Sequence, residues 1–421
     1  MTSQHDLAKG LVEKGHRVTF FASGFSHYKF KEIRLAPGEK SRIEEHEGVR
    51  FVWLKTPPYD SNSWKRLRNM CSYSWRAYRF GRQLNEHPDV IIGTTFQPLA
   101  CLAAYVLSVA KKVPFVFEVK DLWPLTMVQM GKLSPNSLTT ICLLALERFL
   151  ARKAAQIMTV LPGAVDYYSR FAIPPAKITW IPNGLDLTRY AALKPYTGQL
   201  SKHWTLVYAG GHVRANSLNM VLQAAQIQQQ NGNRVRFVFI GGGQEKSNLQ
   251  QLAQELKLQN IEFRPAVPKA ELHHVLEQAD AFIVSMRNLP DLYRYGMSFN
   301  KLCDYAAAGR PVLLAGNPSN NWVEEFGFGI VVPPEDPQAF SDAIQRFENL
   351  STEQRAQMGR NGIRCAKESF DIAMLSTRLE KMLLCVVERS AAVAPDHLSR
   401  NPIPATISKI TAEETRSKNS P

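Results

Sequence analysis

Apolar positions along this chain come in two alternating rhythms. "DLAKGLVEKG" (residues 6–15) spaces them for a helix and stops at glycine, whereas "HRVTFFAS" (16–23) gathers them into a short run suited to a buried strand. The runs "GVRFVWL" (48–54), "DVIIGTT" (89–95) and "PFVFEV" (114–119) are further strands, and "PLACLAAYVLSVAKK" is the helix between the last two. A long helix over 138–155 leads to "QIMTVL" and "KITWIPNG". The alternation then starts afresh with "WTLVYAGG" (204–211), the helix "SLNMVLQAAQIQQ" and "VRFVFIGGG" (235–243). "IEFRPAV", "AFIVSM", "PVLLAG" and "GIVVP" complete the series. Strands separated by helices predict βαβ units and parallel sheets.

Two doubly wound α/β domains in series are therefore expected, the first over 1–190 and the second over 204–370. The stretch "AALKPYTGQLSKH" (191–203) between them has proline, glycine and no periodicity, as a linker does. A helix over 371–389 keeps apolar spacing, and the polar tail 390–421 is expected to be disordered. A doubly wound domain opens with a strand and a tight glycine turn before its first helix. This chain starts almost on that helix, so the first strand of the first domain is expected to be missing, with the gene model beginning late.

Charge changes the picture more than composition does. The net charge is +14, and residues 1–190 hold 26 Lys/Arg against 15 Asp/Glu while the other 231 residues hold 25 against 22. A basic first half points to nucleic acid, an anionic membrane or an acidic substrate. Within it, "SWKRLRNMCSYSWRAYRFGRQL" (63–84) has six cations and no acid. Trp64, Leu67, Cys71, Trp75 and Tyr78 follow helical spacing, with Lys65, Arg68, Arg76 and Arg79 beside them. Such a basic amphipathic helix suits an anionic inner-membrane surface, and a core helix with a solvated basic face is the plain alternative. Nucleic acid is not expected, since no recognised binding motif accompanies the charge. Six scattered cysteines without a C-x-x-C pair argue against a zinc site or a disulfide framework. The N-terminus lacks a signal-peptide core, and the best apolar window (99–110) is shorter than the roughly 18 residues a membrane span needs. A cytoplasmic protein, peripheral at the inner face of the plasma membrane, is expected.

Candidate chemistry collects at strand ends. "AGGHVRAN" (209–216) follows a strand with Gly210, Gly211, Arg214 and Asn216; "GGGQE" (241–245) does the same with Gly241, Gly242, Gly243 and Glu245. "YGMSFNKLCDYAAAGRPVLL" (295–314) is a loop opening a helix, with Gly296, Ser298 and Asn300 before Lys301, and Asp304 three positions further on the same face. A helix N-terminus with a cation suits a phosphate. Neither glycine cluster is a G-x-G-x-x-G or Walker loop. Turn-forming glycines and a water-facing Lys–Asp pair are the plain alternatives, yet three such turns on one sheet edge favour a nucleotide site. In the first domain "FEVKDLWP" (117–124) places Glu118, Lys120 and Asp121 just past a strand, either facing the cleft or capping a helix.

Together these segments resemble the retaining glycosyltransferases of family 4, with the two-domain GT-B fold, over nearly the whole chain from 6 to about 388. "IPNGLDLTRY" (181–190) looks like the family's PNG-x-D signature, "FIGGGQEKSNLQQLA" like its G-x-G-x-E segment, and "VPKAELHHVLEQADAFIVSM" like the segment after it. "FEVKDLWP" with "YGMSFNKLCDYAAAGRPV" is similar to the branch that makes bacterial surface polysaccharides, including O-antigen N-acetyl-L-fucosamine transferases. The resemblance implies a nucleotide-sugar donor, UDP-linked, and a lipid-linked oligosaccharide acceptor. It puts Asn300 and Lys301 at the donor diphosphate, Asp304 at the ribose hydroxyls, and Asp121, Lys301 and Asp304 in the catalytic set. Cations and helix N-termini neutralise the leaving diphosphate in such folds, so neither metal nor cofactor is expected.

The chain departs from the family in three places. The usual E-x7-E motif would begin at Gly296 and end at Asp304, so only its second acid is present. The Arg and Lys that usually clamp the diphosphate fall near Gly211 and Asn216, leaving Arg214, Arg287 or Lys301 as substitutes. The missing first strand takes with it a loop that helps bind the acceptor. Two other classes stay open: a GT-B-like nucleotide-sugar epimerase, and a truncated inactive homologue that binds membrane surfaces.

Overall fold

Parallel strands can be joined only by long crossovers, so alternating apolar runs and helices must resolve into layered sheets. The computed structural model describes residues 3–27, 30–60, 64–95, 97–269 and 271–393; the tail, from 394 on, lies outside the described residues. The chain opens on α1 (Ser3–Glu13) and then forms β1 (Thr19–Ser23), β2 (Ser41–His46) and β3 (Val49–Leu54). β3 lies in the middle of this sheet, parallel to β1 and antiparallel to β2. α2 (Trp64–Gln83) follows, then β4 (Ile91–Thr94), α3 (Pro98–Lys111), β5 (Phe115–Val119), α4 (Leu138–Lys153), β6 (Gln156–Thr159), α5 (Ala164–Ser169) and β7 (Ile178–Trp180). β4 to β7 form a second sheet in that order, parallel throughout. The pattern gives no sign of β2, because "SRIEEH" has one apolar residue and that residue, Ile43, is itself exposed.

The second half repeats the plan in one piece. β8 (Thr205–Ala209), α6 (Leu218–Gln230), β9 (Arg236–Ile240), α7 (Lys246–Glu255), β10 (Ile261–Arg264) and β11 (Ala281–Ser285) precede α8 (Asn300–Ala307). β12 (Val312–Ala315), β13 (Gly329–Val332), α9 (Pro337–Glu348) and α10 (Thr352–Cys365) follow. All six strands are parallel, in the order β10-β9-β8-β11-β12-β13. Apolar clusters cover both faces of the sheet: Val207, Val238 and Val284 belong to one, Leu206, Phe237 and Ile283 to the other. Near-continuous apolar strands are what such double burial requires. The last helix, α11 (Ile372–Val393), returns to the first domain, where Leu375, Leu379 and Met382 pack with Leu7, Leu11, Val116 and Met158.

Numbered within its own domain, the second sheet runs 3-2-1-4-5-6, with its order reversing between β8 and β11. The first domain follows the same order, β3-β1 and then β4-β5-β6-β7, with a break where the second domain holds β8. Among the described residues no strand joins β1 to β4. Helices hold the two pieces together instead. His5 of α1 stacks on Phe51 of β3 at 5.8 Å while Leu7 and Leu11 pack with Val116 and Met158. The Tyr73 hydroxyl of α2 donates to the Phe21 carbonyl of β1 at 2.7 Å. All five residues of β1 are half-buried, whereas β11 and β12 are wholly buried.

Unpaired edges open more readily than central strands. Native-state hydrogen exchange is therefore expected to show the amides of β1 and β4 exchanging much faster than those of β8 and β11. Equal protection would mean the two pieces of the first sheet are joined.

Candidate functional site

Open α/β sheets bind ligands outside the carboxyl ends of their strands, where the order reverses. Here that point lies between β8 and β11, and the turns leaving the two strands are tied together. The Ser285 hydroxyl donates to the Asn216 carbonyl, and the Arg287 N–H donates to the Ala215 carbonyl at 3.2 Å. The turn after β8 also lies against the turn after β9. The Gly210 N–H donates to the Ile240 carbonyl (2.9 Å), the His212 N–H to the Gly242 carbonyl (2.8 Å) and the Glu245 N–H to the His212 carbonyl (3.0 Å). A Cβ on Gly241 would stand 2.0 Å from the Gly210 oxygen, and one on Gly243 2.3 Å from the His212 oxygen. Those two glycines are thus demanded by the neighbouring turn's backbone.

Lys301 comes to this junction from α8. Its Nζ donates to Asn216 Oδ1 (2.9 Å) and to the Tyr208 hydroxyl (3.1 Å), and it stands 4.6 Å from the centre of the Tyr208 ring. The Tyr208 hydroxyl in turn donates to the Gly211 carbonyl (2.7 Å) and accepts from Asn216 Nδ2 (2.8 Å). Among the described residues no carboxylate pairs with Lys301. Part of its side chain reaches the surface, but protein surrounds the ammonium, and this desolvation pushes its pKa down to about 7. Buried beside it, His212 lies among the rings of Tyr208, Phe239 and Phe263; burial first, then Lys246 and Lys301, push it down to about 4. It is neutral at physiological pH, where Lys301 is still partly charged. The N-cap of α8, Phe299, supplies no side-chain acceptor, so the first N–H groups of the helix lack a cap beside the ammonium. Uncapped N–H groups beside a cation are the features that suit an anion.

The other expected residues are placed differently. Asp304 is buried at the seam between the domains, where the Tyr190 hydroxyl donates to Oδ1 at 2.6 Å and Lys269 Nζ lies 3.8 Å away. Burial raises its pKa, and Lys269, Tyr190 and Arg189 oppose that rise. Arg287 pairs with Glu335 at 3.6 Å, Arg214 is exposed, and Glu245 accepts from Asn248 at 3.3 Å. Gly296 and Ser298 lie in the loop before α8, and Asn300, its first residue, is exposed. In the first domain Glu118 is buried at the end of β5, where Gln4 Nε2 (3.0 Å), the Thr94 hydroxyl and Lys120 Nζ (2.8 Å) hold it. Asp121 reaches solvent on one side. Desolvation by the surrounding protein raises its pKa against the pull of Lys120. Tyr208, Tyr190 and Lys246 carry no signal in the sequence. The first is an apolar strand position, the second ends a motif, and the third donates to the Gly241 and Arg264 carbonyls only because β9 and β10 are neighbours.

Among the described residues no group of three His, Cys, Asp or Glu side chains could hold a metal ion. Among the same residues no helix is long and apolar enough to cross a membrane.

Comparison with known proteins adds the following. Residues 2–184 match the model of the glycosyl transferase 4-like domain, and residues 194–364 match that of the glycosyl transferases group 1. A protein of Pseudomonas aeruginosa named "Probable glycosyltransferase WbjE" is 21% identical over 302 residues, 69% of this chain and 74% of that one. Sucrose-phosphate synthase from Thermosynechococcus elongatus superposes with a TM-score of 0.70 at 16% identity, over 91% of this chain and 92% of its own. HepE from Anabaena, solved in complex with UDP and glucose, gives 0.60 at 15% identity, over 80% and 87%.

The Tyr190–Asp304 contact can be tested by stability alone. Tyr190→Phe leaves a buried carboxylate without its donor and is expected to cost about 1–3 kcal/mol in urea denaturation. An unchanged midpoint would show that the carboxylate finds another partner.

Proposed function

The chain belongs to the GT-B glycosyltransferases, and from that premise we propose that it moves a sugar from a UDP-linked donor onto a lipid-linked oligosaccharide in the making of a bacterial surface polysaccharide, with retention of configuration. The observation that carries this reading is the Lys301 ammonium, held by Asn216 and Tyr208 at the uncapped start of α8 with no carboxylate to neutralise it. A diphosphate supplies the missing charge. On transfer, the bond from the anomeric carbon to the β-phosphoryl oxygen breaks, a bond to the acceptor oxygen forms, and the acceptor hydroxyl proton leaves with UDP. Donors aimed at the departing phosphate lower that barrier most. Asn216 stands where the family's clamping lysine falls, and Lys301 brings its ammonium to within 2.9 Å of that side chain, so it takes over the lysine's task. Asp121, on the opposite wall with a raised pKa, receives a hydrogen bond from the incoming hydroxyl. Asp304 acts through α8, with Oδ1 kept by Tyr190. The UDP complex of HepE supports the choice of nucleotide.

The lipid-linked acceptor is supported by the first domain's surface. Trp64 is 67% exposed and Trp75 62%, with Leu67 also exposed, so the stripe of α2 is not core. α3 and α4 extend it through Val106, Val109, Ile141 and Leu138, the last 76% exposed. Across these three helices there are ten Lys/Arg and one acid, Glu147, which is buried. Cations around exposed aromatics fit an anionic bilayer, and this supports a position at the inner face of the plasma membrane.

Two measurements test this reading. UDP affinity by calorimetry is expected to fall roughly 10- to 100-fold in Lys301→Met, the worth of a hydrogen bond to a charged group. In the wild type a bound dianion raises the Lys301 pKa from about 7, so affinity is full below pH 7 and falls as pH rises through and above it. An unaltered affinity in the variant would remove Lys301 from the site, and a panel of nucleotide sugars with a lipid-linked acceptor, scored by UDP release, names the sugar.

The second measurement is flotation with anionic and neutral liposomes at low and high salt. Wild type should float with anionic vesicles and lose this with salt, while Arg68, Arg76 and Arg79 changed to Glu should abolish it. Equal recovery of both proteins with both lipids would overturn the membrane contact.

A further inference from the structure

The loop that delivers α8 is built partly into the other domain. Tyr295 follows β11 in the chain, yet its side chain is 5% exposed inside the aromatic cluster of the first domain. Its ring meets Tyr167 edge-on at 5.3 Å, and the hydroxyls of Tyr167 and Tyr168 donate to the buried Glu147 at 2.7 and 3.1 Å. The backbones touch as well. The Gly163 N–H donates to the Tyr295 carbonyl at 3.0 Å, and a Cβ on Gly163 would stand 2.7 Å from Tyr295 Cα. Gly296 has φ +92°, and a Cβ there would lie 2.6 Å from the Pro162 ring, so only glycine fits this bend against that wall.

From Tyr295 to α8 the chain has no slack. Asn320 of the second domain accepts from the Met297 N–H and donates to its carbonyl, both at 2.8 Å. Asn183 of the first domain donates its N–H to the Ser298 hydroxyl (2.9 Å) and its Nδ2 to the Ser298 carbonyl (2.8 Å). Asn300 and Lys301 come next. Any separation of the domains must therefore draw Tyr295 out of its socket, or pull on the first turn of α8.

We propose that Tyr295 is a positioning residue whose insertion into the first domain sets the N-terminus of α8 and the Lys301 ammonium, so that donor geometry depends on how the two domains meet. For its effect on transfer this rests on the sugar-transfer reading above, but the coupling itself does not. The hydroxyl of Tyr295 only accepts from Arg294, so the ring and backbone carry the contact.

Two variants and a control test it. Tyr295→Ala empties the socket, and Gly163→Ala forces a methyl against the loop without touching the ring; Tyr295→Phe keeps the plug. Hydrogen exchange at Ser298–Leu302, read with no nucleotide present, is expected to accelerate at least tenfold in the first two and to stay at wild-type rates in Tyr295→Phe. UDP affinity should fall about tenfold in step with it, and kcat, where transfer is measured, by about a hundredfold with a smaller change in KM, as displacement by about 1 Å can produce. If Tyr295→Ala does not fold, Gly163→Ala carries the comparison alone. Wild-type exchange at the start of α8 in folded Tyr295→Ala and Gly163→Ala would overturn the proposal. A protein that ignores UDP but shows the accelerated exchange would leave the coupling standing and sink only the reading of the site.

Discussion

An ammonium enclosed by protein, with no carboxylate among the described residues to answer it, is the constraint around which the second domain is arranged. Burying a charge without a partner is costly enough that proteins neutralise the group instead, and the depressed pKa of Lys301 is that cost made visible. Holding it needs neutral acceptors in fixed positions: the hydroxyl of Tyr208 and the amide oxygen of Asn216. Those in turn need the turn after β8, which is fixed by its bonds to the turn after β9 and to β11. The glycines, the strand order and the helix start all serve one arrangement, the one on which the proposed donor site rests.

The two domains invest their stability differently. The second has an unbroken sheet with a packed cluster on each face, so its strand ends are rigid mounts for a binding site. The first has two sheet pieces held by helices, with β1 half-buried and its edge unpaired. It is tied to its partner by the Tyr190 hydroxyl on Asp304 at 2.6 Å, the Asn183 N–H on the Ser298 hydroxyl at 2.9 Å, and the return of α11 across α1. A shift of the first domain draws on those links, and the ones at Asn183, Tyr190 and Tyr295 all end on α8 or on the loop before it.

Much of the architecture was legible because parallel strands buried on both faces leave unbroken apolar runs such as "RFVFI" and "AFIVS", which no surface element imitates. β2 left no trace because an edge strand facing water needs no apolar alternation. In the site, the turns were visible as glycines at strand ends, but the reason for Gly241 and Gly243 was not, since a neighbouring backbone has no signature along the chain. Asp304 and Lys301 share a helical face in sequence, yet one is turned to Tyr190 and the other to Asn216. Partners more than 80 residues away decide such things, and only the fold brings them near.

The basic face carries exposed apolar side chains near both ends of its helices. Trp64 and Leu67 lie in the first turn of α2, Leu138 and Ile141 in the first turn of α4, and Val109 in the last turn of α3. Asn69 anchors α2 by donating to the Thr56 hydroxyl and the Pro57 carbonyl at 2.8 and 2.7 Å. Apolar groups at both ends mean that a bilayer would meet the face along its length, about 30 Å for a twenty-residue helix, and not at one tip. On the membrane contact proposed above, charge and aromatics would do separate jobs. Attraction to an anionic leaflet fades beyond a Debye length of about 8 Å at physiological salt, so the cations would govern approach. The indole rings would act only on contact and govern how long such a protein stays.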